Sequence, residues 1–272
     1  MPAVPMGDGR WIPPLGLGLW RVPDAQAARL VRTAVEAGYR LIDTAAAYGN
    51  ERGVGEGLRS VAAGPAVFVC TKLPNEDQGY DRTLRACERS LQRLGLQAID
   101  LYLIHWPMPA RGLYVESWRA LIRLRAEGRV RSIGVSNFEA AQLQRLVDET
   151  GEAPVLNQVE LHPWHPQQAL RRAHARLGLR TQCWSPLGQG RLLQEPVLQR
   201  IAARHGRTAA QVLLRWHLDQ GLIAIPKSAH PDRLRENLDV GGLQLTPGER
   251  AAIDALERAG GRIGPEPARV AC

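Results

Sequence analysis

"DRTLRACERSLQRLGLQAIDLYLIH" (81–105) decides the fold, because it carries both halves of a repeating unit. Its first part has apolar residues at helical spacing, opens at Asp81 and stops at Gly95, a helix with an acidic start and a glycine C-cap. Its second part, "AIDLYLIH" (98–105), is a short Ile- and Leu-rich run ending on a polar residue, which suits a buried strand. The helical half recurs in "DAQAARLVRTAVEAG", with Asp24 as N-cap and Gly38 as C-cap, in "ESWRALIRLRAEG" and in "EAAQLQRLVDETG".

The strand half recurs as well. "LGLGL" (15–19), "RLIDT" (40–44), "AVFVCTK" (66–72), "VRSIGVS" (130–136), "PVLNQVE" (154–160), "LRTQCW" (179–184) and "LIAIPK" (222–227) bring such runs to eight. Those ending near Asp43, Lys72, His105 and Ser136 recur about every thirty residues, the spacing of parallel βα units. Eight units predict an α/β chain folded as a closed (β/α)8 TIM barrel, with an open doubly wound sheet as the alternative. The region after Trp184 holds two helical patterns, one of them an inserted helix. "TPGERAAIDALERAG" is a capped extra helix beyond the eighth unit, and "MGDGRWIPP" predicts an N-terminal β-hairpin closing the barrel floor. No linker interrupts the pattern, so residues 1–272 read as one domain.

A formal charge of +8 and a pI near 9.9 favour anionic partners. The arginines are scattered without a dense basic tract, so solvated helix faces explain them better than a nucleic-acid surface. A phosphorylated small molecule needs only a few of these charges. Cys70, Cys87, Cys183 and Cys272 have neither CxxC spacing nor a disulfide framework, which fits the reduced thiols of a cytoplasm. The opening "MPAVPMGDGR" lacks a secretory profile, and no apolar run approaches the roughly 18 residues of a membrane span.

Barrel active sites sit at the carboxyl ends of the strands. Asp43 ends the second run, Tyr48 follows in its loop, Lys72 ends the third and His105 the fourth. Singly, each has an ordinary reading as a cap, a rim aromatic, an ion-pair partner or a core histidine. Together they suit protonation of an oxygen as it becomes an alkoxide. A Lys72 ammonium would lower the phenol pKa of Tyr48, Asp43 would keep the lysine charged, and His105 would orient a carbonyl. The set lacks a hydride source.

The chain resembles the aldo-keto reductases along nearly its whole length, and most closely the bacterial branch of the 2,5-diketo-D-gluconate reductases. The stretches that carry this are "LGLGLW", "DTAAAYGNE", "TKL", "LGLQAIDLYLIHWP", "GRVRSIGVSNF", "NQVELHP", "WSPLGQG", "IPKSAHPDRLREN" and "GRIGPEP". The resemblance implies a catalytic tetrad of Asp43, Tyr48, Lys72 and His105. It also implies reversible, NADPH-dependent reduction of small carbonyl compounds by a cytoplasmic monomer that contacts neither nucleic acid nor membrane. A nucleotide-sensing protein on the same fold is the alternative. A barrel hydrolase would want paired carboxylates or metal ligands at the strand ends, and neither is found.

No GxGxxG follows a strand, and "GVGEG" (53–57) lies in a helical pattern, so a Rossmann site is a weak reading. "IPKSAHPDRLREN" instead ends a strand and opens a helix, where N–H groups and the dipole favour an anion. By resemblance Lys227, Ser228 and Arg233 meet a 2′-phosphate, and Glu236 and Asn237 the adenine. His230 stands where this branch often has Arg. Ser136, Asn137 and Gln158 hold the carboxamide, Trp184 stacks on the nicotinamide, and Ser185, Leu187 and Gln189 strap the pyrophosphate. Leu19, Trp20 and Asp43 complete the cofactor set. Trp184 alone would read equally well as a core tryptophan.

Trp20, Tyr48, Pro74, His105 and Trp106 form the expected substrate pocket, with further aromatic surface from Trp164. Pro74 follows "TKL" where relatives often carry an aromatic residue, which predicts an open, weakly selective pocket. "HPWH" (162–165) offers two histidines without a third ligand, so a turn is favoured over a metal site, and no metal is expected.

Overall fold

The computed structural model describes residues 1–270; Cys272 lies outside the described residues. A short antiparallel hairpin, β1 (Val4–Pro5) and β2 (Trp11–Ile12), precedes the barrel. The barrel strands are β3 (Leu17–Gly18), β4 (Leu41–Asp43), β5 (Phe68–Leu73), β6 (Ile99–Ile104), β7 (Val130–Ser136), β8 (Leu156–Glu160), β9 (Arg180–Trp184) and β10 (Ile223–Ala224). All neighbours in the order β3 to β10 pair in parallel. A parallel bridge between Leu15 and Ala224 brings the last strand back to the first. The Gly18 N–H donates to the Pro226 carbonyl at 3.0 Å there, and a Cβ on Gly18 would stand 2.9 Å from the Ile225 oxygen. The glycines of "LGLGL" thus permit the ring to close.

The helices α1 (Asp24–Ala37), α2 (Glu51–Ser60), α3 (Tyr80–Leu94), α4 (Tyr114–Ala126), α5 (Ala140–Thr150) and α6 (Gln168–Arg176) each follow one strand. After β9 come the inserted helix α7 (Pro196–His205) and then α8 (Ala209–Asp219). Helix α9 (Pro231–Leu238) follows β10, and α10 (Pro247–Asp254) is the extra helix. The N-cap of α10 is a capping box between Thr246 and Glu249.

One cap differs from the sequence expectation. Asp24 is the first residue of α1, after Pro23, and its side chain does not cap that helix. Its Oδ1 accepts the Gly53 N–H of α2 at 2.7 Å instead. The glycines of "GVGEG" let α2 approach both neighbours, α1 and α3. A Cβ on Gly53 would stand 2.2 Å from the Asp24 carbonyl oxygen, and one on Gly55 2.3 Å from that of Leu94.

Strand alternation then sets the chemistry. Leu41, Cys70, Leu101, Leu103 and Leu156 pack together inside the barrel over Met6 and Ile12 of the hairpin region. Two residues onward on the same faces come Asp43, Lys72, His105 and Gln158. The apolar plug below therefore dictates which polar side chains gather above it.

Candidate active site

Lys72 is fully buried on β5. Its Nζ donates to Asp43 Oδ1 at 2.6 Å and to the Thr44 carbonyl at 2.8 Å. Burial, the largest influence, would lower its pKa, but Asp43, Tyr48 and Cys70 outweigh it and hold the ammonium above its ordinary value. Lys72 is therefore charged at neutral pH. Asp43 Oδ2 accepts from Gln158 Nε2 at 2.7 Å, so both carboxylate oxygens are engaged.

Tyr48 ends a single 3-10 turn (Ala46–Tyr48) after β4 and sits half-buried over this pair. The Lys72 ammonium lies 5.2 Å from the centre of its ring. Lys72 does pull the phenol pKa down, as expected, but it is not the largest influence. Burial pushes Tyr48 up from its ordinary value, and Lys72 pulls it back only in part. Tyr48 is thus a neutral phenol that carries its proton, beside a cation that eases formation of the phenolate.

The ring of His105 meets that of Tyr48 edge-on, with centroids 5.7 Å apart. Burial, and then the Lys72 charge, lower its pKa to about 3. The imidazole is neutral and has a single N–H to donate. The backbone carbonyl of His105 accepts from Asn137 Nδ2 at 3.0 Å.

Tyr48 and His105 open into a cleft of about 1010 Å³, with Asp43 in its wall. The volume suits a large organic ligand. Ser136, Asn137, Gln158 and Trp184 follow along it. Asn137 adopts a left-handed conformation (φ 64°), and its Oδ1 accepts from the indole N–H of Trp184 at 2.8 Å. Ser185 and Gln189, also at positive φ, continue the wall with Leu187. Strained backbone of this kind gathers at working sites.

Lys227, Ser228, His230 and Arg233, at the N-terminus of α9, line the cleft together with Glu236 and Asn237 of its last turn. Thr208 Oγ1 donates to Glu236 Oε1 at 2.7 Å, and Gln211 Nε2 donates to the Glu236 carbonyl at 3.1 Å, bracing this helix from α8. Trp20 and Trp106 flank the catalytic end, and the Arg21 guanidinium lies 4.1 Å from the Trp20 ring centre.

Three expected positions fall elsewhere. Leu19 is fully buried in the core, and the cleft is lined there by Gly18, Trp20 and Arg21. Leu17 and Leu19 share a strand face toward the helices, which excludes Leu19 from the mouth. Pro74 is buried and does not line the cleft; Ala47 and Trp106 do. Trp164 packs in the core, with its indole N–H on Glu195 Oε1 at 2.9 Å.

Several supporting groups escaped the sequence reading. Asn50 is fully buried; its Nδ2 donates to the Leu19 and Val22 carbonyls at 3.0 and 2.9 Å, and its Oδ1 accepts from Thr44 at 2.6 Å. The Tyr48 loop is thereby tied to the first barrel strand. Glu51 is buried and accepts from Thr71, Ser90 and Arg93. Gln182 Oε1 takes the second Nε2 hydrogen of Gln158, at 2.8 Å. Glu160 is buried beneath residues 263–264. The signal for Glu160 was present, since strand alternation continues from Leu156 and Gln158 to an acid. In "HPWH", His162 Nε2 donates to Glu160 Oε1 at 2.9 Å. No cluster of three or more metal-ligating side chains occurs among the described residues.

Known proteins share the sequence pattern and the fold. Residues 14–258 match the model of the aldo/keto reductase family. An aldo-keto reductase from Mycobacterium sp. (strain JLS) is 51% identical over 98% of this chain and 96% of its own. The methylglyoxal reductase DkgA of Escherichia coli (strain K12) is 45% identical over 97% of this chain and 96% of its own. A crystal structure of a Gox0644 mutant in complex with NADPH superposes with a TM-score of 0.97 at 50% identity, covering 100% of this chain and 99% of the other.

Proposed function

The chain belongs to the aldo/keto reductase family, and on that premise we propose how its own residues reduce a carbonyl group. It is an NADP(H)-dependent oxidoreductase that converts aldehydes and ketones to alcohols. The observation that carries the residue assignment is the convergence of Asp43, Lys72, Tyr48 and His105, from three strands, at one end of a long cleft.

The cleft suits the cofactor. Lys227 and Arg233 stand beside the N-terminus of α9, where two cations and free N–H groups favour a phosphate. We assign Lys227, Ser228 and Arg233 to the 2′-phosphate, and Glu236 and Asn237 to the adenine. Ser185, Leu187 and Gln189 face the pyrophosphate. Ser136, Asn137 and Gln158 hold the carboxamide, and Trp184 supports the nicotinamide ring. When bound there, NADPH supplies the hydride from C4 of its nicotinamide.

Tyr48 gives its phenolic proton to the carbonyl oxygen as negative charge develops on it. Lys72, fixed by Asp43, stabilises the phenolate that remains. Neutral His105 donates its N–H to the same oxygen and sets its angle. Oxidation of the alcohol uses these groups in reverse.

We assign the substrates to small and medium aldehydes and dicarbonyls, between walls formed by Trp20, Ala47 and Trp106. The enzyme acts as a monomer of one domain (1–272) in the cytoplasm, without nucleic acid. Free, buried Cys70, Cys87 and Cys183 suit such a reducing compartment. No helix among the described residues is long and apolar enough to cross a membrane. A nucleotide sensor on the same fold has no use for a buried ion pair beneath a protonated phenol. The test is NADPH oxidation with a panel of aldehydes, ketones and dicarbonyls including methylglyoxal. Turnover of several members is expected. Binding of NADPH without turnover of any would favour the sensor.

A further inference from the structure

We propose that Glu160 is a positioning residue: it latches the chain segment around Gly264 onto the barrel and thereby holds Trp184 in place as the floor of the cofactor site. This rests on the reading of Trp184 as the support of the nicotinamide.

Glu160 ends β8 and is 1% exposed. Three donors converge on its carboxylate. Oε1 accepts from His162 Nε2 at 2.9 Å and from the Ile263 N–H at 2.5 Å, and Oε2 accepts from the Gly264 N–H at 2.8 Å. Burial on its own would raise the carboxyl pKa, but these donors outweigh it and bring it below its ordinary value. The group is an ionised acceptor with its lone pairs directed at the tail.

The tail in turn rests on Trp184. A Cβ on Gly264 would lie 2.5 Å from Trp184 Cη2 and 2.9 Å from Glu160 Oε2, so only glycine lets the backbone approach both. The opposite end of the indole is held by Asn137 Oδ1 at 2.8 Å. The ring is therefore fixed at its N–H by Asn137, just beyond β7, and at its benzo edge by the latch. Gly264 and Pro265 also line the cleft.

The "HPWH" loop is the socket for the same segment. The Arg258 guanidinium lies 3.7 Å from the centre of the Trp164 ring, and a Cβ on Gly261 would stand 1.9 Å from the Trp164 carbonyl oxygen. His162 fixes the Glu160 carboxylate from within this loop. His162 thus serves a structural clasp.

Glu160→Gln removes one acceptor and sets an NH2 group against a backbone N–H, which releases the tail from Trp184. Gly264→Ala keeps the carboxylate and pushes the tail off the ring, so it decides the matter if the first variant fails to fold. Steady-state kinetics, NADPH titration by quenching of tryptophan fluorescence, and thermal melting are measured on the full chain. In both variants KM and Kd for NADPH should rise about tenfold. Over the same variants kcat at saturation should stay within about threefold, and the quench amplitude should fall. A lowered melting temperature with unchanged NADPH affinity and quenching would make Glu160 merely structural and overturn the latch. Absence of NADPH-dependent reduction in the unaltered protein would overturn the functional reading itself, and the latch with it.

Discussion

At the scale of single residues, the proposed chemistry depends on a charged lysine kept where water does not reach. Lys72 and Asp43 form a buried pair, which is costly to make and costlier to break. Lys72→Met leaves the Asp43 carboxylate unpaired and should lower stability by about 3–5 kcal/mol in chemical denaturation. It should also lower kcat at least about a hundredfold, since the phenolate loses its counter-charge. Adding Asp43→Asn should restore most of the stability and none of the activity. Recovery of both together would reduce the pair to a packing device. The gathering of Asp43, Tyr48, Lys72 and His105 at one mouth was legible in the sequence because each ends a strand or lies in the loop that follows one. Leu19 and Pro74 were misplaced because a motif gives chain position without the direction of the side chain. For Leu19 the alternation with Leu17 already pointed away from the mouth. Glu160 was overlooked because its two backbone partners lie 103 and 104 residues further along the chain.

At the scale of elements, α9 and the strand end before it line the part of the cleft proposed for the 2′-phosphate and adenine. The helix presents its N-terminus and Arg233, while Thr208 and Gln211 of the α8 cap brace its Glu236. Arg233→Ala should weaken NADPH about tenfold or more, because a charge-assisted contact to a phosphate is lost. NADH, which lacks that phosphate, should lose no more than about twofold. Equal losses in parallel titrations would remove Arg233 from the 2′-phosphate site. Helix and strand positions were legible because apolar periodicity and glycine stops coincide along the chain. The role of Asp24 was not, because an acid at a helix start has two uses, and the Gly53 N–H of a neighbouring helix took it.

At the scale of the whole molecule, closure brings strand ends from across the sequence around one mouth, and it buries histidines in the neutral form. Burial first, and then Lys72, push His105 down to about 3. Burial likewise pushes His165, His174 and His217 down to about 4. The unfolded chain, with histidines near pH 6.5, binds more protons than the native state between roughly pH 6.5 and pH 4. Stability is therefore complete above that window and is lost as the pH falls through it. The melting temperature should drop steadily from pH 7 to pH 4.5 at constant ionic strength, and a flat profile would contradict neutral burial. The eight-fold layout was legible from its repeat. The latch between β8 and residues 263–264 was not, since it joins units that are not adjacent in sequence. The most direct test of the central claim, that Tyr48 supplies the proton, is the rate of NADPH oxidation with methylglyoxal by Tyr48→Phe, alongside its NADPH affinity. Loss of turnover by at least about a hundredfold with NADPH binding nearly unchanged is the predicted result; near-normal turnover in that variant would contradict it.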